Sequence, residues 1–272
     1  MKFLKIILFI AFPISGIAQS HTIEADTLKD VDDGIYTLPS PLQIAYIFKK
    51  SGLKYNSKLP HDAKAVNNYA SVYSKSIALG IYMSDLAFSV LNKKPAEARN
   101  YMQAVVALLN DLGIPSDFDI KDLQKRFDKN IKNEDSIMFI LSEMQSKMDD
   151  YFFSNDKRLQ SCEVFASSFI ECLYIAYSDT LNNNKMIWTL ADNYSILNSL
   201  LLGFEKYHSS DSNIEALVKD LKEIYKMMYE IPGVKEIIDS DGSYEIEIKP
   251  SNAQIKNLYT KISELRKKMI TG

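Results

Sequence analysis

Histidine, cysteine, tryptophan and glycine are all scarce in this chain, at three, two, one and nine residues of 272. Three histidines, His21, His61 and His208, are too few for a multi-histidine metal centre. Glu205-Lys206-Tyr207-His208 has the Glu-x-x-His spacing that puts two di-iron ligands on one helix face, but no remaining histidine supplies the second copy such sites need. His208 is read instead as a cation favoured at a helix C-terminus. Cys162 and Cys172 on one helix would lie about 15 Å apart along its axis. A disulfide requires Cα atoms closer than about 7 Å, so both are expected to be buried free thiols. The few glycines form no phosphate loop, no Gly-x-Ser-x-Gly elbow is present, and no His-Glu-x-x-His zinc motif appears. Neither Asp239-Ser240-Asp241-Gly242 nor Asp30-Val31-Asp32-Asp33-Gly34 fits a calcium loop. No metal and no cofactor are expected. A single tryptophan, Trp188, also excludes the tetratricopeptide repeat pattern.

Long apolar runs are missing beyond the N-terminus. There, Lys2 and Lys5 precede an apolar stretch from Phe3 to Ile14, and Gly16 and Ala18 stand where signal peptidase accepts small residues. Residues 1–18 therefore read as a signal peptide cleaved after Ala18, its apolar core too short for a span of about 20 residues. Its removal takes Lys2 and Lys5, leaving 30 basic against 35 acidic residues and a net charge of −5. That balance, with basic residues scattered rather than striped, argues against nucleic acid as a partner. The mature chain contains no transmembrane candidate and is expected in the periplasm or secreted. A composition of 46% hydrophobic and 25% charged residues is that of a globular protein.

What the chain does contain is helical periodicity. Residues 19–39 are acidic and aperiodic and read as a flexible tether; 40–272 reads as a single domain. Ser40-Pro41-Leu42-Gln43 is a capping box with proline at the first helical position, opening a helix that stops at Gly52. Further helices are expected over Ala63–Leu91, whole or jointed at Gly80, then Pro95–Leu112, Ile120–Asn130, Glu134–Phe153, Lys157–Leu181 and Lys185–Tyr207. Ser212-Asn213-Ile214-Glu215 and Ser251-Asn252-Ala253-Gln254 look like two more N-terminal boxes. The fold class is thus all-α, an antiparallel bundle or stacked hairpins of eight to ten helices. One minor β-hairpin is expected at about 236–248, from Asp241-Gly242 and the alternation Tyr244-Glu245-Ile246-Glu247-Ile248.

Acidic residues within the most apolar helices are the remaining candidates for chemistry. Asp85 lies in a segment apolar almost all round, where a carboxylate is costly unless hydrogen-bonded. It reads as a buried structural hydrogen-bonder, the alternative being a pocket residue with Tyr82 and Tyr101 beside it. Tyr69, Tyr73 and Phe88 are further aromatic residues for such a pocket, although helical aromatic spacing also describes plain core. Glu171 shares a polar stripe with Glu163, Ser167 and Ser178, and Asp192 shares one with Lys185, Thr189, Ser195 and Ser199, so both read as solvated edges. Ser76, Gly80, Ser84 and Ala87 form a strip of small residues that would let a neighbouring helix approach closely.

Leu38-Pro39-Ser40-Pro41-Leu42-Gln43-Ile44-Ala45-Tyr46-Ile47-Phe48-Lys49-Lys50-Ser51-Gly52, with Leu79-Gly80-Ile81-Tyr82-Met83-Ser84-Asp85-Leu86-Ala87, resembles uncharacterised exported all-helical proteins of bacteria. The resemblance covers the N-terminal third and implies a cell-envelope setting with no activity attached. The expected function is a non-enzymatic binding or interaction protein of the bacterial envelope, its partner an envelope protein or a small apolar ligand. The alternative is an enzyme or small-ligand binder with a pocket between helices near Asp85.

Overall fold

The structure, a computed structural model, describes Gly52 and residues 55–114, 120–178, 187, 189–207, 209–239 and 246–271. The expected signal peptide, acidic tether, Ser40 helix and Asp241-Gly242 turn, together with His208, fall on residues outside those described. Within them the chain is all-α: one 3₁₀ turn, Ala63–Asn68, and nine α-helices. The helices are α1 (Val72–Leu91), α2 (Pro95–Asp111), α3 (Ile120–Asn130), α4 (Glu134–Ser154), α5 (Arg158–Tyr177), α6 (Leu190–Lys206), α7 (Ser212–Tyr229), α8 (Val234–Asp239) and α9 (Asn252–Thr271).

The most extensive helix pairing is α1 on α5, and it forms the middle of the molecule. One apolar cluster, including Leu86, Val105, Leu108, Phe127 and Phe152, fills the side towards α2, α3 and α4. The other, including Ile81, Phe169, Leu197, Leu221 and Ile262, fills the side towards α6, α7 and α9. Helices covered on both sides need apolar residues all round, which is why neither α1 nor α5 presents a broad polar face. The small-residue strip of α1 provides the contact. Ser84 Oγ donates to Ser168 O at 2.8 Å, and a Cβ placed on Gly80 would lie 2.0 Å from Val164 O and 2.2 Å from Ser167 Oγ. Side-chain size at Gly80 therefore sets the distance between the two central helices.

Three expectations are corrected. The Ala63–Leu91 stretch is jointed at Tyr69–Ser71, where Ser71 and Ser74 form a capping box, and α1 runs unbroken through Gly80. Helix α7 is capped by Asp211, which accepts from the amides of Asn213 and Ile214, rather than by Ser212. The β-hairpin expected at about 236–248 is not supported: among the described residues, 234–239 are helical and 246–250 carry no strand. Glu247 and Ile248 instead lie against the turn after α7, where Lys249 N–H donates to Pro232 O and Gly233, at φ +91°, leaves no room for a Cβ beside Glu247 O. Alternation marks a half-buried extended segment whether or not a second strand pairs with it. The box at Ser251–Gln254 is as expected, with Gln254 N–H donating to Ser251 Oγ and Ser251 N–H to Gln254 Oε1.

Among the described residues, no helix is long and apolar enough to cross a membrane, and no group of three or more His, Cys, Asp or Glu side chains could hold a metal ion. Cys162 and Cys172 are free and buried. Burial pushes the Cys162 thiol up to about 12 and that of Cys172 higher still, which removes the thiolate needed for redox chemistry.

Candidate functional site

Asp85 projects from the middle of α1 and is completely buried. Its Oδ2 accepts the main-chain N–H of His61 at 2.9 Å, while its Oδ1 meets no N–H or O–H donor. Beside it is Glu171 of α5, also fully buried and bonded to Asp85 side chain to side chain. Two carboxyl groups hydrogen-bond only if one keeps a proton. Arg266 of α9 decides which one does. Its Nε and Nη2 grip Glu171 at 2.7 and 2.9 Å, a bidentate pairing that holds the negative charge on Glu171. Burial, and then the neighbouring Glu171 charge, raises the Asp85 carboxyl well above the usual range, against the opposing pull of the His61 amide and Arg266. Asp85 is thus the protonated member. Burial works against the Arg266 charge, but Glu171 outweighs it and the guanidinium stays ionised.

Above this network lies a strap, residues 55–62, whose main chain is held by side chains of the bundle. Arg266 Nη2 donates to Leu59 O (3.1 Å), Tyr101 Oη to His61 O (2.9 Å) and Tyr82 Oη to Asp62 O (3.0 Å). The His61 ring stacks on Tyr82, and its Nε2 is 2.8 Å from Tyr69 Oη. Burial, and next the Arg266 charge, lowers the His61 pKa to about 4, so the imidazole is neutral near pH 7. Of the expected tyrosines, Tyr69, Tyr82 and Tyr101 come together here, their hydroxyls spent on the strap and their pKa values raised by burial. Tyr73 lies elsewhere, against the second apolar cluster.

The outer face of the strap forms one wall of an open cleft of ≈ 510 Å³, and α2 forms the other. His61, Asp62, Lys64, Glu97, Asn100, Tyr101 and Gln103 line it above a floor of Val66, Ala63 and Ala104. Asp85 and Tyr82 are not in the lining; His61 and Tyr101 stand between them and the opening. The lining mixes carboxylates, amides and an ammonium with about as much apolar surface, from Pro60, Ala63, Val66 and Ala104.

Glu171 is corrected most sharply. The stripe Glu163, Ser167, Glu171 was expected at a solvated edge, yet all three are buried. Their four-residue spacing faces the matching strip of small residues on α1, so two semi-polar stripes close on one another instead of on water. Asp192, the other residue read as solvated, is half-buried. Arg266 and His61 escaped the sequence reading. The signal for Arg266 was available: it falls four residues after Ile262 and three before Met269, within the buried stripe of α9.

Comparison with protein-family models, with curated proteins and with solved structures yields no match.

Asp85→Ala is expected to lower stability by about 1–3 kcal/mol, because the His61 amide and Glu171 both lose their partner. Asp85→Asn keeps the shape and a donor for Glu171, so it should cost less. Thermal melts of both variants test this; unchanged melting in Asp85→Ala would contradict the structural role.

The pH dependence has a definite sign. Asp149 and Glu163, like Asp85, have raised carboxyl pKa values, each pushed to about 7 chiefly by burial. A raised folded-state pKa contributes stability that is complete below the unfolded value and is lost as pH rises through the folded one. These two groups therefore cost stability progressively from about pH 4 to about pH 7. His61 acts oppositely, costing stability as pH falls from 6.5 towards about 4. Four raised carboxyls, Glu171 included because burial outweighs Arg266 there, act against one imidazole, so the melting temperature should be higher at pH 5.5 than at 7.5, by several degrees. Scanning calorimetry giving the reverse order would refute the assignment.

Proposed function

We propose that this chain is a non-enzymatic binding protein of the bacterial cell envelope, and that the cleft between the strap and α2 is its contact site. The observation that carries the reading is a division of labour among polar side chains. The groups suited to acid–base chemistry, Asp85, Glu171 and Arg266, bond to one another and to the strap beneath the surface. The groups that face the cleft, including Asp62, Glu97, Asn100 and Gln103, are donors and acceptors; Ser57, His61 and Lys64 also line it, but His61 is engaged by Tyr69 and, among the described residues, neither Ser57 nor Lys64 is hydrogen-bonded to a base. Such a surface is suited to recognition. The envelope setting rests on the N-terminal pattern from Lys2 to Ala18 and on the resemblance to exported helical proteins.

The test is site-specific photo-crosslinking in intact cells from a reactive residue at Gln103, followed by mass spectrometry. A single envelope protein captured at Gln103 and lost on Asn100→Arg is the expected outcome. Recovery of uncrosslinked chain alone would sink the proposal. A small polar ligand is the second reading, favoured by a cleft volume typical of small-molecule sites. It predicts thermal stabilisation by that ligand which Asn100→Arg abolishes.

A further inference from the structure

The strap and the buried carboxyls meet at one hydrogen bond, from the His61 amide to Asp85. Several ionisable groups surround Asp85. Glu171 and Cys172 come from α5, Arg266 from α9 and Tyr101 from α2. Tyr82 shares its helix, Tyr69 stands just before it, and Tyr55, His61 and Asp62 belong to the strap. Arg266 is the one permanent cation in this set, and Glu171 already holds it in two hydrogen bonds. Two carboxyl groups and one guanidinium are neutral together only while one proton stays between the carboxyls. We propose that residues 55–62 form a latch on the wall of the cleft, and that the single proton held between Asp85 and Glu171 keeps it closed.

With the proton in place the buried network is neutral and the strap seats on it through the contacts at Leu59, His61 and Asp62. Loss of the proton puts a second negative charge in a buried site where, among the described residues, Arg266 is the one permanent cation. The charge is relieved when water enters, and His61 of the strap is what stands between Asp85 and the cleft, so solvation lifts the strap. His61 sets the opposite limit. Its imidazole, stacked on Tyr82 beside Arg266, loosens the strap if it is protonated. The two effects oppose each other between about pH 4 and 6.5, and above that range only the carboxyl effect grows. The latch rests on reading the cleft as a contact site: as the strap lifts, the wall carrying His61 and Asp62 is remodelled and the binding surface changes with pH.

Hydrogen exchange on the full chain tests this without any ligand. Exchange rates between pH 5.5 and 8.5 are divided by the intrinsic rate at each pH, leaving the protection of each amide. Protection across residues 57–62 is expected to fall at least tenfold more over that range than that of the α7 amides, which follow only the global change in stability. Asp85→Asn, which carries a permanently neutral group of the same shape, is expected to flatten the profile, and Glu163→Gln to leave it unchanged. Three results overturn the latch: a flat profile in the native chain, the same slope in Asp85→Asn, or a parallel loss in α7, which would report global unfolding. Should Asp85→Asn fail to fold, the native profile and its α7 control decide alone. Because exchange needs no partner, the latch can fail while the cleft still binds, and the cleft can prove to have no partner while the latch operates.

Discussion

Arg266→Met should lower stability by about 3–5 kcal/mol, a drop in melting temperature on the order of 10 °C. The variant removes the one cation that, among the described residues, pairs with the two buried carboxyls, and it also strips Leu59 O of its donor. Methionine matches the length of the arginine stem, so lost packing is a minor part of the effect. The decisive comparison is the double variant Glu171→Gln/Arg266→Met. With the second charge gone, most of the loss should be recovered, because a buried ion pair costs far more when half of it is removed than when both members are. Chemical denaturation of the two variants measures this. A double variant no more stable than Arg266→Met would show that the guanidinium acts by packing.

Gly80→Ala is expected to be nearly as damaging, at about 3 kcal/mol or more. The added methyl would fall 2.0 Å from the Val164 carbonyl and 2.8 Å from the Ser168 amide. Both are main-chain atoms, so no side-chain rotation relieves the clash and the central helices have to move apart. In an exposed helix the same substitution would stabilise by up to about 1 kcal/mol, so the sign of the effect separates packing from propensity. Gly203→Ala serves as the control: its Cβ would meet only Cys162 Sγ, at 3.1 Å, and the change should be close to neutral. Equal losses in the two variants would contradict the assignment of Gly80 as the spacer.

The helices were legible in the sequence because their signals are local. Prolines, glycines and three- and four-residue apolar steps bounded α2, α3 and α9 within a residue or so. The small-residue strip of α1 was legible for the same reason. What failed required knowledge of the neighbouring element. A stripe of Glu163, Ser167 and Glu171 looks the same whether it faces water or a serine-rich helix, and only the partner helix distinguishes the two. Tyr244–Ile248 alternates as a strand does, yet the described residues offer it no strand to pair with. Asp85 was picked out correctly as a buried polar group, since a single carboxylate in an apolar helix is costly wherever it packs. Its connections were not legible, because His61, Glu171 and Arg266 are drawn from three remote parts of the chain.

The tie from Arg266 to Leu59 spans 207 positions, and that separation bears on how the chain reaches its native state. The central pair α1 and α5 comes together over a much shorter loop and would be the natural place for folding to begin. Yet this pair carries Asp85 and Glu171 into its interior, and their counter-charge arrives only when residue 266 docks. A half-assembled bundle therefore contains two acids without their cation and gains little from closing early. Such an arrangement penalises partial structures and favours one concerted transition. Denaturation followed by several probes should then give coincident curves despite the two separate apolar clusters.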